Sequence, residues 1–563
     1  MSSLFRKKSI DKIVADSEAG LSDGHGGGHS LNKVLGVKDL TFMGIAAVIG
    51  AGIFSTIGTA AYNGGPGISI LFIITAITCG FSALCYAEFA SRIPIAGSAY
   101  TYAYVSFGEI VAWIIGWALI LEYAIGNIVV AISWSGYFNN LLQGLGIHLP
   151  DWLVNDSFSV KALVDEAAIA TANHQPLTET MQSANAAWNS APILFGKHLF
   201  MNVPAFGIVV LITILAYIGI KESKKTTNAM VVFKIIVIIL IIIIGSFYVK
   251  SSNWHPFMPN GFGGVLAGVS AVFYAYIGFD AISTTAEECK NPQKDLPRGM
   301  IYSLIICTVL YILIALILTG MVNYSELKVN DPLAYVFEKI HLTWIGYIIS
   351  VSAVIATTSV MLVFQLGQPR IWMSMSRDGL LPKKFSEVHP KFQTPAFATI
   401  ITGILVGVPS LFLPSSLMTD LTSIGTLFAF VLVCFGVLVL PRITHAKKSA
   451  FRLPYINGKF ILPVLTVLIM TVFHSRISDA FTHVNTEGFQ EILFLVFILT
   501  LIVVAVLSFL RNYSVIPIIG AMSCLYLLTE IPAISWLWFF IWMGFGLLIY
   551  NFYGKKNSKL SKL

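Results

Sequence analysis

Two apolar segments of this 563-residue chain contain glycine where a membrane helix needs its most regular backbone. The first, GIAAVIGAGIFSTIG, contains Gly50, Ala51 and Gly52, and the second, FYAYIGFDAISTTAEECKNPQKDLPRG, contains Gly278 just before Asp280. A helix that unwinds at glycine exposes N–H groups on one side of the break and carbonyls on the other, and the half-helix dipoles reinforce both. Such a break predicts a site for a zwitterion, with its carboxylate on the amides and its ammonium on the carbonyls.

Three ionisable side chains lie inside otherwise apolar segments: Lys234 in NAMVVFKIIVIILIIIIG, Glu122 in LILEYAIGN, and Asp280 after the second break. A charge deep in a bilayer costs about 2.5–3.5 kcal/mol, so it persists only with a partner, a water path or a function. We treat all three as candidates for ion or proton coupling. Each also has a structural reading, because Lys234 could extend to the membrane surface, Glu122 could accept local hydrogen bonds, and Asp280 could cap the half-helix that follows it.

The composition places these residues in a polytopic membrane protein. Hydrophobic residues make up 56% of the chain and charged residues only 11%, and the mean hydropathy is +0.80. A set of soluble domains would need far more polar surface. The apolar runs are mostly about 20 residues long, the length of a membrane-spanning helix, and they lack the alternation of barrel strands.

Apolar runs bounded by charge, Gly, Pro and Asn predict about fourteen helices and an all-α fold. The predicted spans are 40–62, 67–91, 110–142, 201–220, 227–249, 262–287, 299–322, 342–369, 395–413, 421–440, 460–474, 490–510, 514–529 and 533–553. Because the second break comes five spans after the first, helices six to ten would repeat helices one to five in inverted topology. Both breaks would then meet near the middle of the bilayer.

Lysine and arginine are concentrated in the segments on the N-terminal side of the predicted membrane, which predicts cytoplasmic termini and a multi-pass location in the plasma or inner membrane. The net charge of +7 therefore reflects topology, and we expect no nucleic-acid partner. The predicted parts are an N-terminal tail 1–38, a first repeat 39–250 with an outer loop 143–200, a second repeat 261–440, additional helices 459–553, and a C-terminal tail 554–563.

The two break motifs resemble those of the amino acid–polyamine–organocation superfamily, most closely its cationic amino acid transporter branch. Further matching motifs are NGGPGISILFIITAITCGFSALCYAEFASRIPIAGSAYTYAYVSFGE, LILEYAIGN, RIWMSMSRDGLLP and WLWFFIWMGFGLLIYNFYG. The resemblance implies a LeuT-like core of 5+5 inverted repeats, here with four additional C-terminal helices. It also implies secondary transport by alternating access, with the substrate bound between the first and sixth helices.

The resemblance further implies a role for individual residues. The substrate carboxylate would meet Ala51 and Gly52, and its ammonium would meet the carbonyls of Val48, Tyr274 and Ile277. These backbone groups would recognise only the α-amino and α-carboxyl groups of a substrate. They therefore do not determine which class of side chain the substrate has.

Coupling is also implied by the resemblance. The ammonium of Lys234 would stand where sodium-coupled relatives hold an ion, against the first helix near its break, and a proton would replace sodium. Glu122 and Asp280 match acidic positions of the family. No metal and no cofactor other than the coupling proton is expected.

Aromatic residues of the sixth helix are candidate gates above the substrate. Phe273 and Tyr276 flank the predicted binding residue Tyr274. Aromatic side chains in membrane helices also serve in packing, and that alternative stays open for these residues.

We predict a proton-coupled symporter of broad or neutral L-amino acids, with the lipid bilayer and the amino acid as its partners. A cationic amino acid carrier and an amino acid or polyamine exchanger are the alternatives within transport. An enzyme is not expected, because the chain contains no HExxH, GxSxG or GxxxxGK[ST] motif and no His or Cys cluster within the spans. A channel would need polar rings or filter loops, and a transporter-like amino acid sensor remains an alternative of another class.

Overall fold

The computed structural model describes residues 6–8, 35–50, 52–93, 98–174, 176–218, 224–329, 331–392, 394–439 and 451–561. These residues form an all-α polytopic membrane protein. In lipid every backbone N–H and C=O must be satisfied within the protein, and a helix does this within a single segment. The predicted fold class is thus confirmed, and each of the fourteen predicted spans contains helix.

In the first half of the chain, the first span is divided into two helices of unequal length. Further helices follow in chain order. The helices are α1 Val37–Val48, α2 Ile57–Gly64, α3 Ile68–Arg92, α4 Ser98–Ser106, α5 Glu109–Gly144, α6 Ser157–Ala172, α7 Glu179–Ser190, α8 Val203–Ile218 and α9 Lys224–Ser246.

The second half begins with a second broken span. Its helices are α10 Gly261–Leu266, α11 Val269–Tyr274, α12 Pro292–Met321, α13 Pro332–Lys339, α14 Thr343–Arg377, α15 Ala396–Phe412, α16 Ser415–Val439, α17 Gly458–Val472, α18 His474–Glu487, α19 Phe489–Arg511, α20 Val515–Thr529, α21 Ala533–Ile549 and α22 Lys555–Asn557. A 3₁₀ segment, Phe279–Glu288, completes the broken span between α11 and α12.

Nine helical stretches in the described ranges have the length and apolarity to cross a bilayer. The bent pair Ile461–Val472 and His474–Thr482, with an angle of 66° between its helices, would be a tenth stretch if the pair forms one span. Three further apolar helices are shorter, at 10–17 residues. These shorter helices are Val203–Ile218, Ala396–Phe412 and Val515–Thr529.

Two spans form the centre of the bundle. The apolar windows of Glu109–Gly144 and Gly261–Ser283 are both 94% buried, whereas those of Asn228–Ser246 and Ala533–Asn557 are 33% buried. The long helix α5 and the broken sixth span are therefore surrounded by protein, and α9 and α21 present most of their surface outward. An irregular backbone at membrane depth requires such protein surroundings.

Two predicted boundaries differ from the structure. The seventh predicted span starts at 299, but α12 begins at Pro292, because proline fits the first helical position and the polar first turns lie outside the apolar window. The eighth predicted span ends at 369, yet α14 continues through Pro369 to Arg377. A proline inside a membrane helix is tolerated where neighbouring helices satisfy the freed backbone groups.

The predicted outer loop folds into a small cap. Val160 of α6 and Ala184 and Ala187 of α7 form a small apolar cluster with Phe200, which follows the helices. A two-stranded antiparallel hairpin, β1 Ile193–Leu194 and β2 Lys197–His198, follows them, with Ile193 opposite His198.

Residues near both termini, Arg6 and Ser558, meet at one end of the bundle. The backbone N–H of Glu109 donates to the carbonyl of Arg6 at 3.0 Å, and the carboxylate of Glu109 accepts from the hydroxyl of Ser558. We call this end of the bundle the terminal face.

Candidate functional site

The first helix breaks at the glycines that the sequence singles out. Helix α1 ends at Val48, and Ile49 has extended backbone angles, φ −78° and ψ 93°. The chain resumes as a π-helical turn, Gly52–Thr56, before α2. The N–H groups of Ile53 and Phe54 both donate to the carbonyl of Gly50 at 3.2 Å. A break after Val48 therefore separates the first span into two half-helices.

The sixth span breaks in the same way. Helix α11 ends at Tyr274, and the following turn is closed by a 3.2 Å hydrogen bond from the N–H of Ile277 to the carbonyl of Tyr274. Gly278 has φ +113°, a conformation that L side chains rarely adopt. The chain then continues as the 3₁₀ segment.

The two breaks are in backbone contact with each other. A Cβ atom added to Gly52 would lie 2.3 Å from the Cα of Ala275, and one added to Gly278 would lie 2.9 Å from the Cβ of Ala47. No real side chain fits at such distances. The two breaks therefore meet in the packing of the two segments, and their inverted topology stays a prediction.

The predicted substrate-binding residues lie around this contact, except that Ala51 lies outside the described residues. Gly52 is buried at the start of the π-helical turn. The carbonyl of Val48 accepts a 2.8 Å hydrogen bond from the hydroxyl of Tyr311. A carbonyl has two lone pairs, so this bond leaves one acceptor site on Val48.

Tyr274 and Ile277 lie at opposite ends of the second turn, and both are buried. The hydroxyl of Tyr274 donates to the carbonyl of Gly126 at 3.0 Å, which ties the second break to α5. A Cβ on Gly126 would lie 3.3 Å from the ring of Phe364. The surroundings of the breaks are thus tightly packed and largely apolar.

The amine of Lys234 contacts the first break directly, although Lys234 belongs to α9. Its Nζ donates to the carbonyls of Ala46 and Ile49 at 3.3 Å each and to the hydroxyl of Ser359 at 2.7 Å. The side chain is fully buried. These three oxygens match the three N–H donors of an ammonium. The arrangement resembles a cation coordinated between α1 and α14.

The two candidate carboxylates lie near each other beside the second break. Asp280 is close enough to Glu122 for direct electrostatic interaction, and Thr426 is within hydrogen-bonding reach of Glu122. The carboxylate of Asp280 accepts from the backbone N–H groups of Gly278, Asp280 and Ala281. Asp280 therefore satisfies amides that the break leaves open, in accordance with its predicted capping role.

The candidate gates make packing contacts between helices. Tyr276 donates its hydroxyl to the carbonyl of Phe72 at 3.0 Å, and its ring packs on Tyr311. The ring of Phe273 lies 5.8 Å from that of Phe430. Both side chains are fully buried. These contacts favour the packing alternative, and a gating role stays a prediction.

Several polar contacts around the site were not predicted. Ser359 binds Lys234, Tyr311 binds Val48, and Tyr137 donates its hydroxyl to the carbonyl of Phe54 in the π-helical turn. Each of these contacts is made by a polar side chain in an otherwise apolar helix. That feature of the sequence could have identified the three residues as candidates. Nothing in the sequence says which carbonyl such a hydroxyl will meet.

Two carboxylates, Asp331 just before α13 and Glu338 within it, contact Asn140 of α5. The amide nitrogen of Asn140 donates to Asp331 at 3.3 Å and to Glu338 at 3.1 Å. Burial, followed by the charge of Glu338, raises the pKa of Asp331 to about 6 from its ordinary value of 3.8. Asp331 therefore holds its proton into a pH range where an ordinary aspartate has lost it.

Two broken helices in contact at the centre of an all-α bundle, with a buried lysine amine at one break, form an architecture that is typical of membrane transporters. The comparisons with known proteins agree. The family "Amino acid permease" matches residues 35–477, and "C-terminus of AA_permease" matches residues 513–558. The chain belongs to the amino acid permease family.

The relatives of this chain have different named substrates. The chain is 38% identical over 561 residues to the branched-chain amino acid permease BcaP of Bacillus subtilis (strain 168), covering 100% of this chain and 99% of the relative. It is also 38% identical over 563 residues to the methylthioribose transporter of the same organism, covering 100% of both. The vacuolar cationic amino acid transporter 4 of Arabidopsis thaliana is 34% identical over 447 residues, 78% of this chain and 67% of the relative.

Proposed function

We propose that this protein is a proton-coupled symporter of neutral L-amino acids that works by alternating access. The observation that carries the proposal is the coordination of Lys234 by two carbonyls of the broken first helix and by Ser359 of α14. A protonated lysine ties the break to α14, and loss of the proton removes the charge that holds those three oxygens together.

Backbone groups at the two breaks support amino acid recognition. The unwound backbone beside Gly52 offers N–H groups to a carboxylate at the positive end of a half-helix. The carbonyls of Val48, Tyr274 and Ile277 offer acceptors to an ammonium. Both half-sites bind the part that all α-amino acids share, and neither requires a buried charge from the protein.

Apolar contacts around the breaks support a neutral substrate. Val360 approaches Gly50, Ala275 approaches Gly52, and Phe364 approaches Gly126. The relative named as a branched-chain amino acid permease agrees with such surroundings. A cationic amino acid is the second candidate, because Glu122 lies in the same region and the relatives include cationic amino acid transporters.

We also propose that the termini are cytoplasmic and that the membrane is the plasma or inner membrane of the cell. The lysine and arginine residues at the terminal face support this orientation by the positive-inside rule. Impermeant lysine labelling of right-side-out vesicles tests it, and labelling of the tail lysines from outside would contradict it.

Uptake into proteoliposomes tests the coupling. The purified protein should accumulate radiolabelled leucine when the outside is more acidic, and accumulation should stop when a protonophore removes the gradient. Lys234→Met should abolish the pH-driven component. Lys250→Met is the matched control, because Lys250 is exposed just after α9. Unchanged pH-driven uptake by a folded Lys234→Met protein would refute the coupling role.

Competition tests the substrate class. Leucine, isoleucine and valine should compete for uptake, whereas arginine and putrescine should not. Methylthioribose lacks both charged groups of an amino acid, so a zwitterion site should not bind it. Competition by arginine alone would establish the cationic alternative, and uptake that requires a counter-substrate inside the vesicle would establish exchange. Binding of amino acids without any flux would establish a sensor.

A further inference from the structure

The short hairpin of the cap exposes apolar side chains that have no part in the proposed transport site. Its strands pair Leu194 with Lys197, so Phe195 and Gly196 form a two-residue turn between them. Phe195 is 96% exposed, Ile193 65% and Leu194 53%. These three consecutive residues form an apolar surface at the end of the hairpin. We call the stretch from Ile193 to Gly196 the hairpin tip.

The turn holds Phe195 in a backbone conformation that bulky side chains rarely adopt. Phe195 has φ +51° and Gly196 has φ +75°. A two-residue turn with both φ angles positive is a type I′ turn, which favours asparagine, aspartate or glycine at its first position. A bulky residue with positive φ is an outlier, and such an outlier supports a hypothesis of function. A large aromatic ring therefore stands at the tip where the turn alone would favour a small residue.

The cap holds the base of the hairpin and leaves the tip open. At the base, the N–H of Leu199 donates to the carbonyl of Pro192 at 2.9 Å, and the ring of Trp188 stacks on that of Phe200. At the other end, a Cβ atom added to Gly196 would have no heavy atom within 4 Å. Among the residues that the structure describes, the tip therefore projects away from the packed part of the cap.

The hairpin lies at the boundary of the membrane-spanning part of the chain. Strand β2 ends at His198, and α8 begins five residues later, at Val203. Between them, the N–H of Asn202 donates to the carbonyl of Leu411, near the end of α15, at 2.9 Å. Helices α8 and α15 have 16 and 17 residues, so they are about 24–26 Å long, less than the roughly 30 Å of hydrocarbon in a bilayer. Helices of this length have no excess that could hold the hairpin far above the bilayer surface.

The surface of α8 next to the hairpin faces lipid. Its first residue, Val203, is 41% exposed, Leu211 is 50% exposed and Ile214 is 53% exposed. Apolar side chains on the outside of a membrane helix contact acyl chains. Lys197, beside the tip, is exposed as well, and a lysine stem can extend its ammonium to lipid headgroups. Aromatic and basic side chains together are typical of segments that lie at the membrane interface.

We propose that the hairpin tip inserts into the bilayer leaflet on the cap side and that Phe195 is its main contact with lipid. The partner is the boundary between the headgroups and the acyl chains of phospholipids. Insertion removes the apolar surface of Ile193, Leu194 and Phe195 from water, and Lys197 stays at the headgroups. The cap is then attached to the bilayer at the hairpin as well as to the bundle at Asn202.

Fluorescence from a dye at the tip tests the insertion in the full-length protein. All six native cysteines are buried, so Phe195→Cys can be labelled selectively with an NBD maleimide, with the unsubstituted protein as the blank. In phosphatidylcholine nanodiscs the dye should emit at a shorter wavelength than in water. A phosphatidylcholine with a doxyl quencher near the top of its acyl chain should lower the emission roughly by half, because interfacial segments insert about 5–10 Å.

Three further labelling positions make the result specific. Leu211→Cys, on the lipid-facing side of α8, should be quenched as well. Ala162→Cys, at an exposed position of α6 in the cap, should emit as in water and should not be quenched. Leu194→Cys keeps both turn residues and should behave like Phe195→Cys, so it tests the tip even if a substitution at position 195 disturbs the turn.

The contribution of the Phe195 ring is tested in the labelled Leu194→Cys protein. Phe195→Asn keeps a residue that suits positive φ and removes the ring, so quenching of the dye should fall to the level of Ala162→Cys. Phe158→Asn is the matched control, because Phe158 is another exposed phenylalanine of the cap, on α6, and it should leave the quenching unchanged. Unchanged quenching in Phe195→Asn would overturn the assignment of the lipid contact to this ring.

Two other outcomes would overturn the insertion itself. Emission from both tip positions equal to that of Ala162→Cys, without quenching, would place the tip in water. Emission at a short wavelength that the doxyl lipid does not quench would show that protein covers the tip, either this chain or a second copy. The experiment measures no transport, so failure of the hairpin proposal and failure of the symport proposal are distinguishable.

Discussion

Substitution of Gly52 by alanine should impair transport without unfolding the protein. The added methyl group would lie 2.3 Å from the Cα and 2.6 Å from the Cβ of Ala275. Ordinary contacts begin near 3.4 Å, so the two breaks would have to separate by roughly 1 Å, and such overpacking costs about 1–3 kcal/mol. Neither Cα nor Cβ of Ala275 can rotate out of the way.

That separation would act on the proposed binding site itself. The N–H groups at the first break and the carbonyls at the second must both reach one small ligand, and a shift of about 1 Å is enough to lose much of the binding energy of such a site. We expect leucine uptake to fall at least tenfold, mainly through a higher KM. The measurement is initial-rate uptake in proteoliposomes, with the melting temperature of each purified variant.

Two other glycines provide matched controls. Gly207 in α8 and Gly544 in α21 have no heavy atom within 4 Å of an added Cβ. Alanine at these helical positions should leave uptake unchanged and should not lower the melting temperature, because alanine is the better helix former. If Gly52→Ala transports like these controls, the two breaks do not form the substrate site and the reasoning from their contact is wrong.

Two further perturbations have expected outcomes. Tyr311→Phe removes the hydrogen bond to the carbonyl of Val48, so it should destabilise the protein by about 1 kcal/mol in thermal melting. It should also raise the KM for leucine in uptake measurements. An unchanged KM would show that Tyr311 does not support the substrate site. Because the raised pKa of Asp331 means that the folded protein holds this proton more tightly, stability should fall as pH rises from 3.8 to about 6. Asp331→Asn should flatten that part of the melting-temperature profile and Glu338→Gln should shift it to lower pH, whereas unchanged profiles in both would contradict the assignment.

The fold could be predicted because lipid leaves few choices. A long apolar run in lipid satisfies its backbone groups as a helix, and each of the fourteen predicted spans contains helix in the described residues. The predicted boundaries were weakest where helices continue into polar surroundings. Helix α12 starts seven residues before its predicted span, and α14 passes through Pro369, because tertiary contacts decide these ends and a hydropathy window does not detect them.

The candidate site was predictable only in its two helix breaks, which are features of the backbone. Glycine marks a break in the sequence, and the positions of Gly50 and Gly278 locate both breaks within a residue or two. The side-chain partners were not predictable, since Ser359 is one of many hydroxyl residues in the spans. Only the rotation of α14 about its own axis places Ser359, and not its neighbours, opposite Lys234.

The broken first helix is held to α14 through the amine of Lys234, which joins the carbonyls of Ala46 and Ile49 to the hydroxyl of Ser359. Any movement of the half-helix that ends at Val48 away from α14 has to release these contacts. In the proposed mechanism, loss of the lysine proton weakens all of them at once, because a neutral amine has fewer N–H donors and forms weaker hydrogen bonds than an ammonium. Coupling of the proton to the movement of the first helix therefore needs no further charged group at the break.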